Sequence, residues 1–213
     1  MQLLSVNIGQ AREIASAKTV GKTGIYKMPV ATPVVVTKLG LEGDAVCDTA
    51  NHGGVDQAVY FYGAPDYTWW SAQRQTEISP GTFGENLTVS DVESASLRIG
   101  DRFQIGQVVL EVTSPRIPCI TLARRMGDNS FVKQFLEAER PGVYCRVLQE
   151  GRVQAGDAVL YERFAGTTVS VLEMMRDFYV SDLSAGTLRR YLAAPIALRA
   201  RADLERRLQA MQP

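Results

Sequence analysis

From Val34 to about Tyr161 the chain runs in short stretches of Val, Ile and aromatic residues, broken by polar positions and punctuated by glycine. That is the pattern of half-buried strands joined by turns. It predicts strands at Val34–Thr37, Ala58–Tyr62, Asn86–Val89, Arg102–Ile105, Val108–Thr113, Val143–Leu148 and Ala158–Tyr161. Short strands at irregular spacing favour an antiparallel barrel over a parallel α/β sheet. Helices are expected where the period lengthens. Pro65-Asp66 opens Tyr67–Gln73, and Asp128-Asn129-Ser130 can cap Phe131–Glu139, where Phe131, Val132, Phe135 and Leu136 share one face. Both aromatic stripes read as core faces.

Beyond Tyr161 the strand pattern stops. Three helices are predicted, at about Ser170–Tyr179, Ser184–Ala193 and Pro195–Met211, with Ser170 and Ser184 as caps. The change divides the chain into a β-rich unit, residues 1–163, and a helical unit, residues 164–213. The tail carries seven basic and five acidic side chains, a small excess that fits a solvated helix face, and no aromatic stacking platform for nucleic acid accompanies its arginines.

Composition narrows the options. The 213 residues carry 23 Lys+Arg and 23 Asp+Glu, a net charge of zero, so no broad electrostatic footprint for nucleic acid or anionic membrane is expected. One histidine, His52, excludes a multi-histidine zinc site within one chain. Cysteines at 47, 119 and 145 form no Cys-x-x-Cys pair and, being odd in number, no closed disulfide framework. Neither a secretory leader nor a membrane span is indicated, which leads to the expectation of a cytoplasmic protein with free thiols.

Several segments have the composition of a site. Asn51-His52-Gly53-Gly54-Val55-Asp56-Gln57-Ala58-Val59-Tyr60 puts a titratable ring on backbone that can approach a ligand, with Asp56 placed to orient or charge-balance it. A turn entering a strand, its histidine bonded internally, explains the segment equally well. Gly81-Thr82-Phe83-Gly84-Glu85-Asn86 offers backbone amides and the two-way hydrogen bonding of Asn86, and matches neither a P-loop nor a dinucleotide fingerprint. In Pro115-Arg116-Ile117-Pro118-Cys119 the prolines stiffen the backbone around a guanidinium and a thiol. A neighbouring guanidinium lowers a thiol pKa and can clamp an anion. Cys47 and Cys145 lack such surroundings and read as inert, buried small hydrophobes. Val20–Val30 holds two of the five lysines, Lys22 and Lys27, among glycines and Thr23, which suits an anion site or a solvated loop. Gly-Asp at 43–44, 100–101 and 156–157 reads as turn chemistry, less securely for Asp44, which leads into the histidine.

Taken in order, Lys22–Val30, Gly40–Asp44, His52–Val59, Gly81–Leu87, Pro115–Cys119 and Gly151–Asp157 resemble the blocks of MOSC domain proteins, named for the C-terminal domain of molybdenum cofactor sulfurases. The resemblance covers roughly residues 20–161. The tail is similar to the three-helix domain of the bacterial branch linked to 6-hydroxylaminopurine resistance. This implies a mostly β fold: a MOSC-type antiparallel β-barrel with flanking helices and a small C-terminal three-helix domain. It also implies a molybdenum cofactor, molybdopterin with Mo, whose metal takes one protein thiolate. Cys119 occupies the family's cysteine position, while Arg116, Asn86, Gly84 and Glu85 would contact or shape the pocket, and Lys22, Thr23 and His52 would meet phosphate and pterin edges.

The activity implied is reduction of N-hydroxylated small molecules, such as hydroxylaminopurines, hydroxylamines or amidoximes, to amines. Three scattered cysteines cannot hold a four-cysteine iron–sulfur cluster, so electrons are expected from a separate reductase. A homodimer is left open. The competing readings are a sulfur carrier using a Cys119 persulfide and a noncatalytic molybdopterin-binding module.

Overall fold

The computed structural model describes residues 1–14 and 21–211; Val20, at the edge of the lysine-bearing patch, lies outside them. In chain order the strands are β1 (Leu3–Gly9), β2 (Arg12–Glu13), β3 (Lys22–Thr23), β4 (Lys27–Pro29), β5 (Val34–Thr37), β6 (Gly40–Leu41), β7 (Val59–Gly63), β8 (Leu87–Val89), β9 (Arg102–Ile105), β10 (Val108–Pro115), β11 (Val143–Gln149), β12 (Gly151–Val153) and β13 (Val159–Glu162). The helices are α1 (Ala64–Arg74), α2 (Ile120–Arg125), α3 (Phe131–Ala138), α4 (Val171–Asp177), α5 (Ala185–Ala193) and α6 (Leu198–Gln209). Every predicted strand is present.

The main sheet runs β13-β9-β10-β11-β7-β8-β1-β4. The start of β1 curls round to the far edge: Leu3 N–H donates to Asp157 O at 2.9 Å and Val159 N–H to Met1 O at 3.0 Å. These bonds close the sheet on itself, so little backbone is left at an open edge. One pairing departs from the antiparallel expectation. β7 and β8 run parallel because α1 lies between them in the chain, and only a crossover of that length lets the chain return in the same direction.

β1 carries no clean apolar alternation. Its inward positions include Ser5 and Asn7, both buried, so hydrophobic periodicity does not reveal it. Asn7 instead donates to Glu85 Oε1 at 3.4 Å and to Thr88 Oγ1 at 3.2 Å, which satisfies polar groups that would otherwise be costly to bury.

Two cores result. Inside the barrel lies an aliphatic cluster in which Val6, Leu87, Ile105, Leu110 and Val112 are fully buried. Beneath α1 and α3 lies an aromatic block built on Tyr62, Tyr67, Trp70, Phe83, Phe131 and Phe135, as the aromatic stripes predict.

The tail packs on the barrel. Val171, Leu188, Tyr191 and Ile196 bury in the same aliphatic cluster as the barrel strands, each worth about 1.5–3 kcal/mol relative to exposure. Ser170 and Ser184 cap α4 and α5 by accepting from Glu173 N–H and Thr187 N–H. The third helix starts at Leu198, not Pro195. Ala194 and Ala197 are extended, as expected before a proline for the former, and Ala197 N–H donates to Thr113 O at 3.2 Å. This extended stretch is the tail's seam with the barrel. No helix among the described residues is long and apolar enough to cross a membrane.

Candidate functional site

At one end of the barrel a cavity of about 300 Å³ opens between the Lys22–Lys27 arm, the Asp44–Gly53 loop, Gly84 and Asn86 ahead of β8, and the Arg116–Thr121 segment. Tyr60 and Tyr144 form part of its wall. Two glycines allow the arms to meet there. A Cβ on Gly24 would sit 1.9 Å from the Ala45 carbonyl oxygen, and Gly84 has φ +80° with Ile25 Cγ1 2.8 Å from where its Cβ would be. Any other residue would push these walls apart.

Cys119 caps the start of α2, half-buried and facing the cavity. Burial raises its thiol pKa, but the His52 imidazole and the Arg116 guanidinium outweigh it and bring the value down to about 6. At neutral pH the sulfur is a thiolate, the form that binds a soft metal. Arg116 is 3% exposed. It donates through Nη1 to Phe83 O and lies over the Tyr60 ring at 5.1 Å, yet its Nε has no partner among the described residues. Among the described residues it forms no salt bridge. A guanidinium this deeply buried normally has an anion beside it; here the available one is the Cys119 thiolate, with the cavity in front of both.

A second polar group braces the opposite wall. Asn86 accepts from Tyr60 N–H at 3.1 Å and donates to Asp44 Oδ2 at 2.9 Å. Asp44 Oδ1 accepts from Gly9 N–H at 2.8 Å, and the carboxylate pairs with Lys27 at 2.5 Å. Burial lowers the Lys27 pKa while Asp44 opposes the shift. Asp44 is therefore part of the site wall and not only a turn residue. Asn86 faces the cavity with its side-chain amide already engaged, so it sets the wall's shape.

Glu85 does not reach the cavity. It is fully buried behind the wall, where Oε1 accepts from Tyr67 Oη at 2.6 Å, Gly81 N–H at 2.6 Å and Thr88 Oγ1 at 2.8 Å. Burial pushes its pKa up. It shapes the pocket from behind by fixing the Gly81–Asn86 turn. Thr23 lines the cavity and accepts from Ile25 N–H at 3.1 Å, while Lys22 stands exposed at the rim.

His52 faces the cavity, its Nδ1 3.4 Å from the Tyr144 hydroxyl. The expected orienting role of Asp56 is not what the structure shows. That carboxylate points away, pairing with Arg146 at 3.0 Å and accepting from Leu198 N–H at 2.6 Å. The reading of Cys47 as a buried, inert thiol is also corrected, since it is half-exposed and lines the same cavity as Cys119. Cys145 is fully buried in β11, where burial pushes its thiol pKa well up. Tyr144 is unmarked in the sequence because its position in β11 looks like that of an ordinary strand aromatic, whereas Tyr60 closes the His52 segment.

Residues 48–160 match the MOSC domain family. Protein YflK of Bacillus subtilis strain 168 is 37% identical over 154 residues, covering 72% of this chain and 70% of YflK. A protein named "Reductase" from Gibberella moniliformis is 29% identical over 198 residues, 91% of this chain but 35% of its own length. The crystal structure of YiiM from Geobacillus stearothermophilus superposes with a TM-score of 0.78 at 27% identity, covering 97% of this chain and 98% of that one. With the cysteine block, the barrel and these matches agreeing, the chain belongs to the MOSC domain family.

Proposed function

We propose that the cavity holds a molybdenum–molybdopterin cofactor and that the protein reduces N-hydroxylated small molecules, including hydroxylaminopurines, hydroxylamines and amidoximes, to the corresponding amines. The observation that carries this reading is the pairing of a thiolate at Cys119 with a buried guanidinium at Arg116 that has no carboxylate partner among the described residues. A soft anionic ligand beside a fixed positive charge suits a thiophilic metal carried on an anionic organic group. Among the described residues no cluster of three or more His, Cys, Asp or Glu side chains is arranged to hold a bare metal ion; a metal at Cys119 would have to bring most of its own ligands.

Cys119 would ligate the metal, Arg116 would neutralise the anionic group next to it, and Lys22 and Thr23 at the rim would meet its phosphate. When bound, molybdenum supplies two-electron redox chemistry. Reduction of R–NHOH to R–NH2 consumes two electrons and two protons and releases water as the N–O bond breaks. His52, whose ring meets Tyr144 and the Cys119 thiolate, would hold a proton beside the reacting nitrogen. The half-enclosed walls limit water around the reacting nitrogen. Electrons come from a separate reductase.

The test is expression in cells able to make the cofactor, followed by elemental analysis and an assay of 6-hydroxylaminopurine reduction with reduced methyl viologen as donor. Molybdenum approaching one atom per chain and amine formation are expected. A metal-free preparation from cells that load another molybdoenzyme overturns the proposal, and a transferable persulfide on Cys119 without turnover replaces it with the sulfur-carrier reading.

A further inference from the structure

The loop that carries Cys47 and His52 over the cavity is almost free-standing. Among the described residues the hydrogen bonds of Cys47–Gly54 reach no further than Gln57, apart from those of the His52 ring, which meets Tyr144 Oη at 3.4 Å through Nδ1 and the Cys119 thiolate. Its position is therefore set at its two ends. At the first, Asp44 is held by Lys27, Asn86 and Gly9 N–H. At the second, Asp56 is held by Arg146 at 3.0 Å, Leu198 N–H at 2.6 Å and, through its own carbonyl, the Thr113 hydroxyl at 2.6 Å.

The two anchors are built alike, as an aspartate paired with a cation, but they draw on different parts of the molecule. The first uses barrel residues alone. The second is completed by the tail: Leu198 is the first residue of α6, and Arg146 is itself fixed by donating to Pro195 O at 3.2 Å and Ile196 O at 3.0 Å. Ile196 and Ala197 are buried, so the extended stretch between α5 and α6 is a firm support.

We propose that Asp56 and Arg146 are positioning residues through which the C-terminal helices hold the His52 wall of the cavity, making the tail a working part of the site. This rests on the functional reading only in taking that wall to face substrate; the mechanical link stands on the contacts alone.

Hydrogen–deuterium exchange on the full-length, cofactor-free chain tests the link. Asp56→Asn keeps an acceptor for Leu198 N–H but removes the charge that holds Arg146. Exchange of residues 46–54 should speed up by about tenfold, with β10 and β11 unchanged. Leu198→Pro is the second variant. It deletes only the N–H given to Asp56, because a first-turn residue donates no helical bond and Ala197 is already extended at φ −57° and ψ 140°. A rise of about threefold in the same residues is expected there. In the loaded enzyme, both variants should raise KM for the N-hydroxylated substrate more than they lower kcat. Unchanged exchange at 46–54, or equal acceleration throughout β10 and β11, overturns the inference. Loss of the functional reading would show separately, as wild-type protein without molybdenum but with the exchange pattern intact.

Discussion

The aliphatic interior of the barrel and the aromatic block beneath α1 and α3 are buried to the same depth, yet they constrain the molecule in different ways. Leu110, Val112 and Ile105 have no polar tip and fill space without direction. The aromatic block ends in hydrogen-bonding groups. Tyr60 Oη donates to Pro141 O and Tyr62 Oη to Arg140 O, each at 2.8 Å, Trp70 Nε1 to Tyr62 Oη at 3.0 Å, and Tyr67 Oη to Glu85 at 2.6 Å. The tips of Tyr60 and Tyr62 fix the Arg140–Pro141 turn, and that of Tyr67, through Glu85, fixes the Gly81–Asn86 turn, whose Gly84 and Asn86 line the cavity. The two free thiols at the extremes of this contrast follow suit: Cys145 sits in the aliphatic core with its proton held tightly, and Cys119 packs against the aromatic block and faces the cavity as a thiolate. Stability is concentrated in one region and site geometry in the other.

That division can be broken by mutation. Arg116→Met should cost about a hundredfold in reductase activity and in cofactor retention, the scale of losing one partner of a buried charge pair. The cofactor-free protein should nevertheless melt at an equal or higher temperature, since a buried and poorly paired charge is removed. Leu110→Ala should lower unfolding free energy by about 2–5 kcal/mol in urea titrations, leaving kcat/KM of the folded fraction nearly unchanged. Tyr67→Phe removes a donor from buried Glu85 and should cost about 1–3 kcal/mol. Unlike Leu110→Ala, it should also reduce kcat/KM, because the Gly81–Asn86 turn loosens.

The smallest effect concerns pH. In the cofactor-free chain the Cys119 pKa is depressed to about 6 from an ordinary 9.0, so its stabilising contribution is complete above about pH 9 and is lost as pH falls through 6. The difference in melting temperature between wild type and Cys119→Ala should therefore grow between pH 6 and 9. Alkylation of Cys119 should reach half its maximal rate near pH 6, whereas Cys145 should react only on unfolding.

The barrel was legible because its strands alternate, and the tail because Ser170 and Ser184 are good caps. β1 was not, since its inward Ser5 and Asn7 serve a polar network that only the fold assembles. In the site, the Pro115–Cys119 block announced both a rigid loop and its two charged groups. His52 was visible by scarcity, but its neighbours were not: Tyr144 comes from a strand 92 residues later, and no local spacing reports such a pairing. Asp56 misled for the same reason. Its nearness to His52 in sequence suggested a direct contact, while its partners, Arg146 and Leu198, come from a distant strand and the tail.

X-ray absorption at the molybdenum edge, on cofactor-loaded wild type and on Cys119→Ser loaded in the same cells, addresses the site itself. If Cys119 ligates the metal, the variant has one sulfur neighbour fewer than wild type. The same sulfur count in both proteins would contradict that assignment and leave the thiolate beside Arg116 without its proposed ligand.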